Sequence, residues 1–123
     1  MKKMLYIDDD PAQLEWMSKR IRERFGNIEL TTCLEPVKAL TLIDANLDLL
    51  VMDLEMPLLD GKKLMVYAKE RGLACKKIII FSSRSADYLH DLFPMGECLC
   101  VLNKMEPRQL EVLDMVLSSL SNK

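Results

Sequence analysis

The chain has 123 residues, of which half are hydrophobic and 29% charged, with a formal net charge of −2. That is enough for one domain with an apolar core. The scattered positive charges exclude the basic face of a nucleic-acid binder, and no run approaches the ~18 consecutive apolar residues that cross a bilayer.

Two patterns alternate along the chain. The opening MKKMLYI is too short in its apolar run for a signal peptide and reads as a first strand over Met4–Ile7, ending in Asp8-Asp9-Asp10. Asp10 is suited to cap a helix and Pro11 to begin one. Leu14, Met17, Ile21 and Phe25 then make one apolar stripe, and Gly26 suits the position just past the helix end. Trp16 lies off that stripe and is either partly buried or a partner contact.

A second strand over Ile28–Thr32 precedes a helix from Pro36 that carries Val37, Leu40 and Ile43. The third strand, Leu49–Met52, ends in Asp53. A helix after Gly61 carries Leu64, Met65 and Ala68 and stops at Gly72. The fourth strand, Ile78–Phe81, ends in Ser82-Ser83, and a short helix over Ala86–Phe93 stops before Pro94. The fifth strand, Leu99–Leu102, ends in Asn103-Lys104. The last helix starts at Pro107 with Leu110, Leu113, Val116, Leu117 and Leu120 on its stripe, and Val112 and Met115 beside it. Those two residues mark either a broadly buried helix or a docking face.

The order βαβαβαβαβα predicts one α/β domain over residues 1–123, with a doubly wound parallel sheet and helices on both faces. Sites in such sheets form at the carboxyl ends of the strands.

The four cysteines, Cys33, Cys75, Cys98 and Cys100, and the single histidine, His90, lack the short paired spacings of a structural zinc site. They read as small buried hydrophobes in a reducing cytoplasm, with Cys98 and Cys100 on one face of a strand.

Four strand ends supply carboxylates, hydroxyls and one ammonium. If the first and third strands are neighbours, Asp8, Asp9 and Asp53 crowd together, and the remedy for three like charges is a hard cation with oxygen ligands. Mg²⁺ fits, because it binds through a few carboxylates and keeps waters that a phosphate can replace. Lys104 then suits a phosphoryl group as a point-charge partner, and the Ser82 hydroxyl can hold another of its oxygens. A carboxylate in that setting can attack a phosphoryl donor. Spacing alone does not say which Asp is the nucleophile.

The segments Leu5-Tyr6-Ile7-Asp8-Asp9-Asp10-Pro11, Met52-Asp53-Leu54-Glu55-Met56-Pro57-Leu58-Leu59-Asp60-Gly61, Ile80-Phe81-Ser82-Ser83 and Lys104 resemble the response-regulator receiver domain over the whole chain. The resemblance implies a flavodoxin-like sheet of strand order 2-1-3-4-5. It makes Asp53 the phosphoacceptor, assisted by Ser82 and Lys104. It gives Mg²⁺ to Asp8, Asp9, Asp53 and the backbone carbonyl of Glu55, with Met56-Pro57 and Asp60-Gly61 shaping the loop beneath the acceptor.

The resemblance also implies a cytoplasmic signalling switch rather than a turnover enzyme, limited to self-catalysed phosphoryl transfer and autodephosphorylation. A sensor histidine kinase or phosphotransfer protein would supply the phosphoryl group. A downstream protein target would meet the face made by the fourth helix, fifth strand and fifth helix, with no direct contact to nucleic acid or membrane.

Two departures stand out. Met105 replaces the proline that usually follows the lysine, so the Lys104–Met105 peptide is expected to be trans. Val101 replaces the usual switch aromatic. These favour, as an alternative, a pseudo-receiver that acts only by binding. A second alternative is a small Asp-nucleophile phosphatase of the haloacid dehalogenase type, with Asp10 as its acid. That reading lacks the Thr the family places nearby.

Overall fold

The computed structural model describes residues 1–56, 59–94 and 96–122. Pro57, expected to fix the backbone beneath Asp53, lies outside the described residues, as does Leu58. The elements are β1 (Lys2–Ile7), α1 (Pro11–Arg24), β2 (Ile28–Cys33), α2 (Pro36–Ala39), β3 (Leu49–Met52), α3 (Gly61–Glu70), a 3₁₀ turn (Cys75–Lys77), β4 (Ile78–Ser82), α4 (Ala86–Leu92), β5 (Cys100–Asn103) and α5 (Pro107–Ser121). All strand pairings are parallel, in the order β2-β1-β3-β4-β5.

Every residue of β3 and β4 is buried, because helices cover both faces of the central strands. Side chains alternate across a strand, so each strand feeds two cores. Leu5, Ile7, Leu50, Met52, Ile78 and Ile80 pack with Ala39, Leu64, Met65 and Leu89 under α2, α3 and α4. Met4, Tyr6, Leu49, Val51, Ile79 and Phe81 pack with Met17, Ile21, Leu113 and Leu117 under α1 and α5.

Register brings the strand ends level. Ile7 aligns with Met52 and Ser82 with Asn103. The next residues continue the ladder: Asp53 N–H donates to the Ile7 carbonyl at 3.0 Å, and Lys104 N–H to the Ser82 carbonyl at 2.8 Å.

Among the described residues, side chains cap three helices, Ser85 doing so for α4 by accepting from Tyr88 N–H at 3.2 Å. The Asp10 side chain accepts from Ala12 N–H at 3.0 Å, and the Asp60 side chain from Lys63 N–H at 2.8 Å. Gly72 adopts φ +95° after α3, a conformation that glycine reaches at little cost.

Several expectations need correction. Gly26 does stand just past the end of α1, next to the Phe25 cap, but without a left-handed φ; the Phe25 N–H donates to the Ile21 carbonyl at 2.8 Å. The second helix is a single turn, so Leu40 and Ile43 lie beyond it, and Ile43 reaches the core from the following turns. Val37 is exposed rather than part of a buried stripe.

The first strand starts two residues earlier than its apolar run and the fifth one residue later. Consequently Cys98 precedes β5 and packs on the α3 and α4 side, while Cys100 packs on the α1 and α5 side. The two do not share a face, and Cys75 is exposed. On α5 the outer apolar positions are not broadly buried: Met115 is 69% and Val112 39% exposed. Trp16 is half-buried, stacked on Phe81 at 6.0 Å between centroids. No helix among the described residues is long and apolar enough to cross a membrane.

Candidate functional site

At the carboxyl ends of β1 and β3 the carboxylates of Asp8, Asp9 and Asp53 come together, one oxygen of each lying within 4.8 Å of the others. Asp8 and Asp53 are buried and Asp9 is exposed. Lys104, the residue after β5, reaches past the ends of β4 and β3 to that of β1. Its Nζ donates to Asp8 Oδ2 at 2.6 Å and stands 3.6 Å from Asp53 Oδ2. Its Nζ also lies 5.7 Å from the Phe81 ring centroid, within cation–π range.

Burial pushes the Asp53 carboxyl up to about 6, and the nearby charges of Asp8 and Asp9 add to the rise. Lys104 and a backbone hydrogen bond from Glu55 oppose it. The site therefore holds more negative charge than one ammonium offsets. Three convergent carboxylates of this kind are a hard-oxygen donor set that suits a divalent cation such as Mg²⁺.

Ser82 ends β4 fully buried, and its hydroxyl accepts from Arg84 N–H at 3.2 Å. The Glu55 side chain points outward and pairs with Arg84, whose guanidinium also lies 4.8 Å from the Tyr88 ring centroid. Glu55 thus offers the site its backbone only.

Asp10, the acid of the phosphatase alternative, caps α1 instead. Gly61 is buried at the start of α3, and its N–H donates to the Leu54 carbonyl at 2.8 Å. A Cβ there would lie 2.8 Å from both the Asp53 carbonyl oxygen and the Leu54 Cα. Close backbone approach, rather than a tight turn, is what demands glycine.

Two contributors were not singled out from the sequence. The Tyr6 hydroxyl donates to Asp8 Oδ2 at 2.6 Å. Its burial, reinforced by the Asp8 carboxylate, raises its ionisation far above the usual phenol range, so it stays a donor. Its signal was available: a phenol two residues before an acid on a strand shares that acid's face. Asn103 is the other. Its side-chain oxygen accepts from Met105 N–H at 2.7 Å and its amide donates to the Arg84 carbonyl at 2.9 Å. The Lys104–Met105 peptide is trans, and the Met105 side chain is 75% exposed. Val101 is half-buried against the α3 and α4 core.

Comparison with known proteins agrees with this architecture. The family model described as response regulator receiver domain matches residues 4–113. No curated protein matches the chain in sequence. Among solved structures, the receiver domain of Francisella response regulator 1452 superposes with a TM-score of 0.81 at 24% identity, covering 99% of this chain and 98% of that one. The Thermotoga maritima response regulator TrrA, solved in complex with Mg²⁺-BeF, gives 0.77 at 23% identity, covering 98% and 99%. The receiver domain of the Pseudomonas aeruginosa sensor histidine kinase PA1611, with a magnesium ion in its active-site cleft, gives 0.75 at 18% identity, covering 99% and 98%.

Proposed function

The chain belongs to the response-regulator receiver-domain family, and from that membership we propose that residues 1–123 form one receiver domain whose phosphoacceptor is Asp53. The observation that carries this reading is the placement of Asp53 beside Asp8 and Asp9, with Lys104 poised 3.6 Å from its carboxylate. Asp8 is occupied by Tyr6 and Lys104, and Asp9 is exposed. Asp53 alone is both buried and free to receive a group that arrives from solvent above the strand ends.

Phosphoryl transfer here forms a bond between an Asp53 carboxylate oxygen and phosphorus while the donor's bond to phosphorus breaks. On a histidine donor the leaving imidazole takes its proton from solvent. The protein's part is positioning and charge compensation. Lys104 shifts by little to meet the new oxygens, and Ser82 turns its hydroxyl from Arg84 N–H toward them. Asp8, Asp9, Asp53 and the Glu55 carbonyl would hold Mg²⁺, which when bound would offset the charge that develops on the phosphoryl oxygens.

The donor is a sensor histidine kinase or a phosphotransfer protein. The output is a protein target meeting the α4-β5-α5 face, where Met115 and Val112 are exposed. With Val101 in place of a ring, the signal travels through the backbone after Ser82, because Asn103 fastens β5 to the Arg84 carbonyl.

The reading is tested with acetyl phosphate as donor. The native chain gains one phosphoryl mass with Mg²⁺ and none in chelator. Equal labelling of Asp53→Asn, or no labelling of the native chain, overturns it; the second outcome supports a binding-only pseudo-receiver.

A further inference from the structure

Asp8 is fully buried. Both of its oxygens are used. Oδ1 accepts from Asp10 N–H at 3.0 Å. Oδ2 accepts twice, from Tyr6 Oη and from Lys104 Nζ, each at 2.6 Å. One of these two donors is fixed and the other is not. Tyr6 is wholly buried, its ring 6.2 Å from that of Phe81. It sits two residues from Asp8 on the same face of β1, so the rigid strand sets its hydroxyl's place. Lys104 ends in a flexible stem and has a second carboxylate, Asp53, 3.6 Å away.

A phosphoryl group on Asp53 draws the ammonium off Asp8. A buried carboxylate oxygen stripped of its last partner is strongly disfavoured. With a second donor already in place, it keeps one.

Resting on the phosphoacceptor reading above, we propose that Tyr6 is a positioning residue that holds Asp8 so that Lys104 can move to the phosphoryl group on Asp53. Tyr6 touches neither donor nor phosphoryl oxygen; it acts through Asp8. Its hydroxyl favours the state in which Lys104 has moved over the state in which it has not. It therefore belongs to the switching equilibrium as well as to the resting site.

The test is calorimetric binding of beryllofluoride in Mg²⁺, and separately of Mg²⁺ alone, to native and Tyr6→Phe chains. The variant keeps the ring and its packing. A hydrogen bond to a charged group is worth enough to shift an equilibrium about tenfold. Tyr6→Phe is expected to weaken beryllofluoride binding at saturating Mg²⁺ by about that factor, a clearly larger loss than in its affinity for Mg²⁺ alone, which Asp8 also serves. In the native chain the ¹³Cζ resonance of Tyr6 is expected to shift on adding beryllofluoride, as the hydroxyl becomes the sole donor to that oxygen.

Unchanged beryllofluoride affinity in the variant overturns the inference alone, as does an equal loss for both ligands. If the variant does not fold, the native resonance decides, and a Tyr6 signal indifferent to beryllofluoride overturns it. A native chain that binds no beryllofluoride overturns the phosphoacceptor reading and this inference with it.

Discussion

The Asn103 side-chain amide donates to the Arg84 backbone carbonyl at 2.9 Å, joining the end of β5 to the loop that leaves β4. Because Asn103 also accepts from Met105 N–H, one buried amide braces the loops on both sides of the lysine. Asn103→Ala leaves two backbone groups without partners and is expected to destabilise the fold by about 1–3 kcal/mol, read from urea denaturation. Amide shifts on adding beryllofluoride should then shrink at Ser83–Ser85. Undiminished shifts there would mean the loop moves without this brace.

Lys104→Met removes the one cation that bonds Asp8 among the described residues. Breaking a buried pair in this way costs about 3 kcal/mol or more, and here the remaining carboxylates also repel. Chelated protein should show the full loss, and saturating Mg²⁺ should return part of it by binding only the folded state. Urea midpoints with and without Mg²⁺ measure both. A variant as stable as the native chain in chelator would show that Lys104 offsets no charge.

For pH, the sign follows from Asp53. Its folded value is raised from 3.8 to about 6, so between those values the folded state binds more protons than the unfolded state. Stability of the metal-free chain from this group therefore falls as pH rises from about 4 to about 6, and is level above. Asp53→Asn should remove that fall. Mg²⁺ needs the ionised carboxyl, so its affinity should drop as pH is lowered through about 6. Thermal melts in chelator at pH 4.5 and 7, for both chains, check the first part. A native chain that gains as much stability as the variant on going to pH 7 contradicts it.

Gly61→Ala places a methyl 2.8 Å from two backbone atoms, neither of which can turn aside. Expected destabilisation is about 2 kcal/mol, and because one of those atoms is the Asp53 carbonyl oxygen, labelling by acetyl phosphate should slow as well. Native-like stability and labelling would show that α3 can retreat from the acceptor loop at no cost.

Much of this was legible in the sequence, for identifiable reasons. Apolar runs ending in Asp8, Asp53, Ser82 and Lys104 placed the site, because a parallel sheet aligns its strand ends. What was hidden depended on tertiary context. Ile43 carries the spacing of a helix that begins at Pro36, yet the chain leaves the helix after Ala39 and buries Ile43 from turns. Gly26 lies just past the helix as its place in the sequence suggests, but the Phe25 N–H already bonds back to Ile21 and no left-handed turn follows. Tyr6 was only one residue of the first apolar run, because its polar end matters once Lys104, far along the chain, is folded over Asp8.

The wide separation of acids and cation has a consequence for synthesis. A chain emerging N-terminus first releases β1, β2 and β3 with Asp8, Asp9 and Asp53 well before Lys104. The edge of β4 must be laid down and β5 docked against it before the ammonium reaches β1. Until then the half-built sheet carries unbalanced acid at its carboxyl end, so closing the last strand and neutralising the site are one event. A nascent fragment that ends before β5 therefore lacks the ammonium that offsets Asp8, and its acidic cluster is balanced only when the sheet is complete.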